Sequence, residues 1–391
     1  MFELVDSIPK NADIKVIGVG GGGGNAVRHM MQSNIDGVDF ICANTDAQSL
    51  SGLENATILQ LGQTLTKGLG AGANPEVGRQ AALEDKDRIA QALEGSDMVF
   101  ITAGMGGGTG TGGAPVIAEV AKQLGILTVG VVTRPFSFEG KKRMGVADEG
   151  IAQLKERVDS LIIVPNEKLM QVLGKDMTVL NAFKQANDVL FGAVQGITDL
   201  ILRDGLINVD FADVRTIMAE MGMAMMGTGE ASGNDRAIVA AEGAIRCPLL
   251  EDINLQGAKG ILVNITSGYD LTLGEFEEVG STIREFSDDN ATIIVGSVFD
   301  PELADQLRVT VVATGLKAPE QKGPQVVVPS RLKTPRRKSD GTIDYGDLDK
   351  PTITRQPTAV SMGSAARQLD VKVDPELDFL DVPAFLRKQA D

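Results

Sequence analysis

The chain has 391 residues, 43% of them hydrophobic and 23% charged, with a formal net charge of −16. That length exceeds one ordinary core, so two soluble folded domains plus extra segments are expected, and so acidic a body repels nucleic-acid phosphates. One histidine and two cysteines, Cys42 and Cys247, argue against a histidine-based triad, a zinc centre or a disulfide framework and leave buried free thiols.

The first residues, from Met1 to Asp6, lack the basic and apolar stretches of a signal peptide, and no run of about 18 apolar residues follows. A cytoplasmic protein without direct membrane insertion is the expectation. From residue 12, apolar runs alternate with helical patterns. Strands are predicted at 14–19, 38–43, 98–102, 127–132 and 160–164, with a helix around 26–33 after a glycine run. Apolar strands alternating with helices predict a parallel sheet covered on both faces.

Residues 178–202 read as one long helix, with Val179, Ala182, Phe183, Ala186, Val189, Leu190, Ala193, Ile197 and Leu200 recurring at three- and four-residue steps. At 1.5 Å per residue it spans roughly 37 Å, enough to join two domains. Strands at 260–265, 292–298 and 309–313, with a helix near 273–286, make up the second domain. The methionines at 218, 221, 223, 225 and 226 read either as core packing there or as an adaptable groove.

Charge and composition change after Leu316. Residues 317–372 carry eleven Lys/Arg against six Asp/Glu, six prolines and few large apolar residues. Such a segment buries too little apolar surface to offset its conformational entropy and is expected to be a disordered linker. Residues 373–391 regain Leu377, Phe379, Leu380, Val382, Phe385 and Leu386, a pattern that suits a short helix docking into another protein's groove. The divisions are therefore 1–11, 12–177, 178–203, 204–316, 317–372 and 373–391.

The chemistry concentrates in glycines. Gly20, Gly21, Gly22, Gly23 and Gly24, followed by Asn25, lie between a strand and a helix, where bare backbone can approach an anion and a helix N-terminus offers N–H groups. Gly18 to Gly23 also satisfies G-x-G-x-x-G, and Asp46 follows the second strand, so a dinucleotide site stays open on this evidence. A second loop, Gly104, Gly106, Gly107, Gly108, Thr109, Gly110, Thr111, Gly112 and Gly113, follows the strand at 98–102. It leads past Pro115 into a helix predicted at 116–124, with Pro115 near the first turn. Two such loops at one end of a sheet suit a triphosphate, with Thr109 and Thr111 adding hydroxyl donors. Neither loop is a P-loop of the G-x-x-x-x-G-K-[ST] kind.

The run from Gly106 to Gly112 resembles the signature loop of the tubulin/FtsZ GTPase family, and the resemblance extends over residues 12–316. Residues 374–387 resemble the C-terminal peptide of the FtsZ branch. The resemblance implies an α/β fold: a Rossmann-like parallel-sheet GTPase domain, a long central helix, a second α+β domain, a disordered linker and a C-terminal peptide. It implies GTP/GDP as the nucleotide, with Mg2+ on the phosphates and no protein metal cage. By the same resemblance Asp188, with Asn187 beside it, reads guanine, and Phe183 lies beside the base. Thr133, Pro135, Glu139, Arg143 and Asn166 match ribose and phosphate contacts. Asn208, Asp210 and Asp213 match a loop that enters the neighbouring subunit's nucleotide site and orients the attacking water.

Read from its residues alone, Asp210 equally suits a helix N-cap, with Asp213 completing something close to a capping box. The family reading further implies head-to-tail homopolymers at the bacterial division site, with hydrolysis dependent on assembly. It also implies that residues 373–391 bind the membrane anchors FtsA and ZipA. The rival readings are an NAD-dependent dehydrogenase, disfavoured by the second glycine loop, and a non-hydrolysing adaptor, disfavoured by Asp210 and Asp213.

Overall fold

The structure is a computed structural model that describes residues 12–316 except 34, 54, 175–176, 204, 220–221 and 251–256. The linker and tail expected beyond residue 316, and Met221 of the methionine group, lie outside the described residues.

The strands are β1 (Ile14–Val19), β2 (Val38–Asn44), β3 (Thr57–Gln60), β4 (Met98–Gly104), β5 (Leu127–Arg134), β6 (Ser160–Pro165), β7 (Gly222–Ser232), β8 (Gly260–Ser267), β9 (Thr292–Phe299) and β10 (Gln306–Leu316). Between them run α1 (Gly20–Gln32), α2 (Gln63–Thr66), α3 (Pro75–Glu84), α4 (Lys86–Leu93), α5 (Thr109–Gln123), α6 (Lys141–Lys155) and α7 (Asn166–Leu173). The later helices are α8 (Val179–Leu202), α9 (Phe211–Met218), α10 (Arg236–Ile245) and α11 (Leu273–Phe286).

The strands form one sheet in the order β3-β2-β1-β4-β5-β6-β7-β10-β8-β9. From β3 to β6 every pairing is parallel, as the alternation of apolar strands and helices predicts. β6 joins β7 over the short register Ser160↔Gly222 to Ile162↔Ala224, and β10 then runs antiparallel to both β7 and β8.

Side-chain alternation explains why both faces are covered. Ile14 and Val16 of β1, with Met98 and Phe100 of β4, join one buried cluster, whereas Ile17, Val19, Val99 and Ile101 join the other. The first cluster packs against α1 and α8, the second against α3, α4 and α5. A strand buried on both faces must be apolar at consecutive positions, which is why β4 opens on an unbroken apolar run from Met98 to Ile101. α8 ties the halves of the sheet together: Leu190, Val194, Ile197 and Leu200 share one cluster with Val131 and Ile162 on one side and Leu262, Val298 and Val312 on the other. Thr178 caps its start by accepting from the Asn181 N–H at 3.3 Å.

Two local expectations are corrected, and one left open is decided. The helix predicted from residue 26 begins at Gly20, so the glycine run is itself helical. Glycine opposes this by up to about 1 kcal/mol per residue relative to alanine. Tertiary contact imposes it, because a Cβ on Gly22 would lie 3.0 Å from the Gly104 Cα. The helix predicted from residue 116 begins at Thr109, which puts Pro115 inside α5 rather than in its first turn and removes one rung of the ladder. Of the methionine group, Met218 and Met226 are buried, and Met223 and Met225 pack on a further buried cluster around Ile261, Val263 and Val311, so for those four the core-packing reading holds.

Candidate functional site

Parallel pairing places the ends of β1, β4, β5 and β6 side by side along one edge of the sheet. The chain leaves β1 toward β2 on one side, and β4 toward β5 on the other. The crevice between β1 and β4 is therefore a topological switch point, where open α/β sheets bind ligands. Both glycine loops start there.

Gly20 adopts φ +72°, in the left-handed region, and turns the chain sharply from β1 into α1. Gly21 and Gly24 have no atom within 4 Å of where a Cβ would stand, so their faces are open. They line a cavity of about 420 Å³ with Gly20, Asn25, Arg28, Cys42 and Asn44. Asn25 accepts from Arg28 Nη1 at 3.1 Å. Burial pushes the Cys42 thiol up to about 11, against a weaker pull from Arg28, so it stays protonated at neutral pH.

The second loop leaves β4 at Gly104, and Gly106 takes φ +98° beside Pro135 and Arg143. Gly107 is open, while Gly108 and Gly112 are pinned against Gly72 and Pro75. Gly110 packs back onto Gly104. Both threonine hydroxyls are engaged within the protein: Thr109 Oγ1 lies 2.6 Å from Thr45 Oγ1, and Thr111 Oγ1 accepts from the Gly106 N–H at 2.8 Å. These bonds brace the loop, and its open face at Gly107 is backbone.

The other residues that the resemblance singled out lie at the end of β5 and just after it, at the start of α6 and of α7, and on α8. The Thr133 carbonyl accepts from the Met105 N–H at 3.0 Å. Glu139 accepts from the Phe136 N–H at 2.9 Å and pairs with Arg143 Nε at 3.0 Å. Phe183 is 42% exposed and meets buried Phe136 edge to face, with centroids 5.3 Å apart. Asn166 opens α7 at the end of β6, is buried, and its Oδ1 has no hydrogen-bond partner. A buried amide oxygen with nothing to accept from invites a ligand. Asn187 is half-buried on α8, and Asp188 Oδ1 lies 2.6 Å from His29 Nε2 while its Oδ2 accepts from Gln185 Nε2 at 2.8 Å.

Asp210, Asp213 and Asn208 lie elsewhere. α8 ends at Leu202, whose side chain reaches Gly37 just before β2, and Arg215 of α9 donates to the Gly125 carbonyl just before β5 at 3.0 Å. Those are the starting ends of the parallel strands, opposite the glycine loops. Asn208 Oδ1 accepts from the Gly205 N–H at 2.7 Å, and Ile207 exchanges two 3.2 Å bonds with Ser297 of β9, which anchors the loop. Asp210 occupies the N-cap position, but its side chain accepts no capping bond, so the expected capping box is absent. Both carboxylates are exposed.

The dinucleotide feature also resolves. Ser49 Oγ and the Gln48 N–H donate to Asp46 and hold its carboxyl below the usual range, so it caps a turn rather than facing a ribose. A larger cleft of about 1060 Å³ opens between α10 and α11, but Asp270, Glu275, Glu278, Glu302 and Asp305 line it, and that charge repels a polyphosphate.

Sequence reasoning missed a third glycine segment. Gly68, Gly70 and Gly72 all take positive φ, and the Gly72 carbonyl accepts from the Gly108 N–H at 3.0 Å. The G-L-G-A-G spacing of residues 68–72 was the available signal. It missed His29, Thr45 and Gln185 too, which no local pattern marks.

Residues 13–174 match the GTPase domain of the Tubulin/FtsZ family, and residues 222–317 match the C-terminal domain of the FtsZ family. The chain is 62% identical over 397 residues to the cell division protein FtsZ of Pseudomonas aeruginosa, with 100% of each chain covered. It is 60% identical over 390 residues to that of Coxiella burnetii, with 99% of each covered. Among solved structures, an empty FtsZ dimer of M. jannaschii matches with a TM-score of 0.75 at 46% identity, covering 78% of this chain and 88% of that one. GDP-bound CetZ1 of Haloferax volcanii, at 22% identity and a TM-score of 0.68 over 78% of this chain and 94% of that one, shares the fold. The chain belongs to the FtsZ group of the tubulin/FtsZ family of GTPases.

Proposed function

We propose that two copies of this chain make one GTP-hydrolysing site, the first binding the nucleotide and the second supplying Asp210 and Asp213. The chain is a GTPase of bacterial cell division that self-associates. The observation that carries the two-copy reading is the separation of the glycine loops and the exposed carboxylates to opposite ends of the parallel strands. Neither half can reach the other within one molecule, whereas head-to-tail stacking brings them together.

In this reading the open backbone at Gly21, Gly24 and Gly107 receives the phosphates, helped by the positive ends of α1 and α5. Asn166 uses its free oxygen on the nucleoside, Glu139 and Arg143 flank the ribose and phosphates, Phe183 lies against the base, and Asp188 reads guanine. Mg2+ would be held by the phosphates, whose charge it offsets. Asp210 and Asp213 align the attacking water, which suits phosphoryl transfer because that reaction depends mostly on positioning and electrostatics. Asn208 holds the loop by its bond to Gly205. Filaments formed this way assemble at the midcell division site, tethered through residues 373–391 to FtsA and ZipA.

The test mixes chains. Wild-type chain is held below the concentration at which it turns over GTP, and excess Asp210→Ala chain is added. Turnover appearing in the mixture, with the variant alone inactive but still forming filaments, is expected. No gain on mixing, with turnover proportional to wild-type concentration throughout, overturns the two-copy site.

A further inference from the structure

His29 is the chain's one histidine and lies in α1 with its ring partly buried. Its Nε2 is 2.6 Å from Asp188 Oδ1 on α8, and its ring meets Phe191 edge to face at 6.1 Å. Asp188 is thus gripped from two helices, by His29 on Oδ1 and by Gln185 at 2.8 Å on Oδ2. Each carboxylate oxygen can accept more than one bond, so this grip leaves acceptor capacity on both atoms. It also removes a freedom: the Asp188 side chain is 35% exposed and would otherwise rotate among several orientations.

We propose that His29 is a specificity-determining positioning residue, which holds the Asp188 carboxylate so that its two free acceptors face the paired N1–H and 2-amino donors of guanine. The proposal rests on the reading that Asp188 recognises the base. A carboxylate locked in one orientation discriminates between bases, because a ligand that lacks one donor leaves an acceptor unmet. A carboxylate free to turn finds water instead and loses that discrimination. The competing account is a strut: the pair would join α1 to α8 and affect every nucleotide equally.

The experiment measures GDP and IDP binding to the full chain below its assembly concentration, and KM and kcat for GTP above it. IDP lacks only the 2-amino group of guanine. The variants are His29→Ala, His29→Gln, whose side-chain amide offers a replacement N–H donor, and Asp188→Asn. His29→Ala is expected to weaken GDP binding about tenfold and to bring the GDP-over-IDP preference toward one, with the loss in KM rather than kcat. His29→Gln should restore most of the preference. An equal loss for GDP and IDP in His29→Ala, or an intact preference there while Asp188→Asn abolishes it, overturns the positioning role alone. A preference that survives Asp188→Asn overturns the assignment of Asp188 itself, and the proposal with it.

Discussion

Gly20 and Gly110 lie back to back, so that a Cβ on Gly20 would stand 2.8 Å from the Gly110 backbone nitrogen. The two glycine loops are therefore one packed unit, and neither can shift without moving the other.

That contact predicts opposite outcomes for neighbouring glycines. Gly20→Ala combines a positive φ with a backbone clash and should cost about 2 kcal/mol or more in the unfolding free energy of the nucleotide-free chain. Gly24→Ala meets open space within a helix and should stabilise that chain by up to about 1 kcal/mol. Its methyl faces the cavity, so GDP affinity should fall all the same. Thermal unfolding and GDP titration of both variants check this. A destabilised Gly24→Ala would contradict it.

Asn166 offers an oxygen with no partner inside the protein. Asn166→Ala should therefore lose little stability without nucleotide, yet bind GDP roughly 3- to 10-fold more weakly, the worth of one hydrogen bond. Equal losses of stability with and without GDP would mean that the oxygen meets no nucleotide.

Asp199 gives a pH dependence. Burial lifts its carboxyl from the ordinary value of 3.8 to about 6; Arg203 at 3.2 Å and Arg308 oppose the rise, and Asp300 and Asp36 add to it. The folded chain thus holds this proton more tightly than the unfolded chain does. Asp199's contribution to stability is greatest below pH 3.8 and is lost as pH rises through about 6. Two pKa units correspond to about 3 kcal/mol. Asp199→Asn has no proton to lose, so its stability relative to wild type should rise by about that amount between pH 4 and pH 7 in urea unfolding. A constant difference across that range would show that Asp199 does not titrate there.

Arg236 is buried between α10 and α11 and pairs with Asp270 at 2.7 Å and Glu275 at 2.6 Å. Arg236→Met should cost about 3 kcal/mol, because it leaves two carboxylates facing each other. The double variant with Glu275→Met should recover part of that loss, as chemical denaturation would show.

Much of this architecture is legible locally. Val16 and Ile17 of β1 and Met98 to Ile101 of β4 are apolar at consecutive positions because helices cover both faces, and α8 repeats its apolar residues at helical steps because one stripe packs along the sheet. Local reasoning fails at the starts of α1 and α5. Helix propensity disfavours glycine there, yet close backbone packing demands it. It fails again at Asp210, where an N-cap residue keeps its carboxylate unbonded.

The order of residues by itself determined the parallel strands, the two glycine loops after β1 and β4, the long helix and the acidic pair at 210 and 213. Each is a matter of spacing within one element or one turn. Only the tertiary structure decided that His29 meets Asp188, that Gly72 braces Gly108, and that Asp210 lies at the far end of the sheet from Gly20. Those relations join residues 36 to 190 positions apart, and the path of all the chain between them sets such distances.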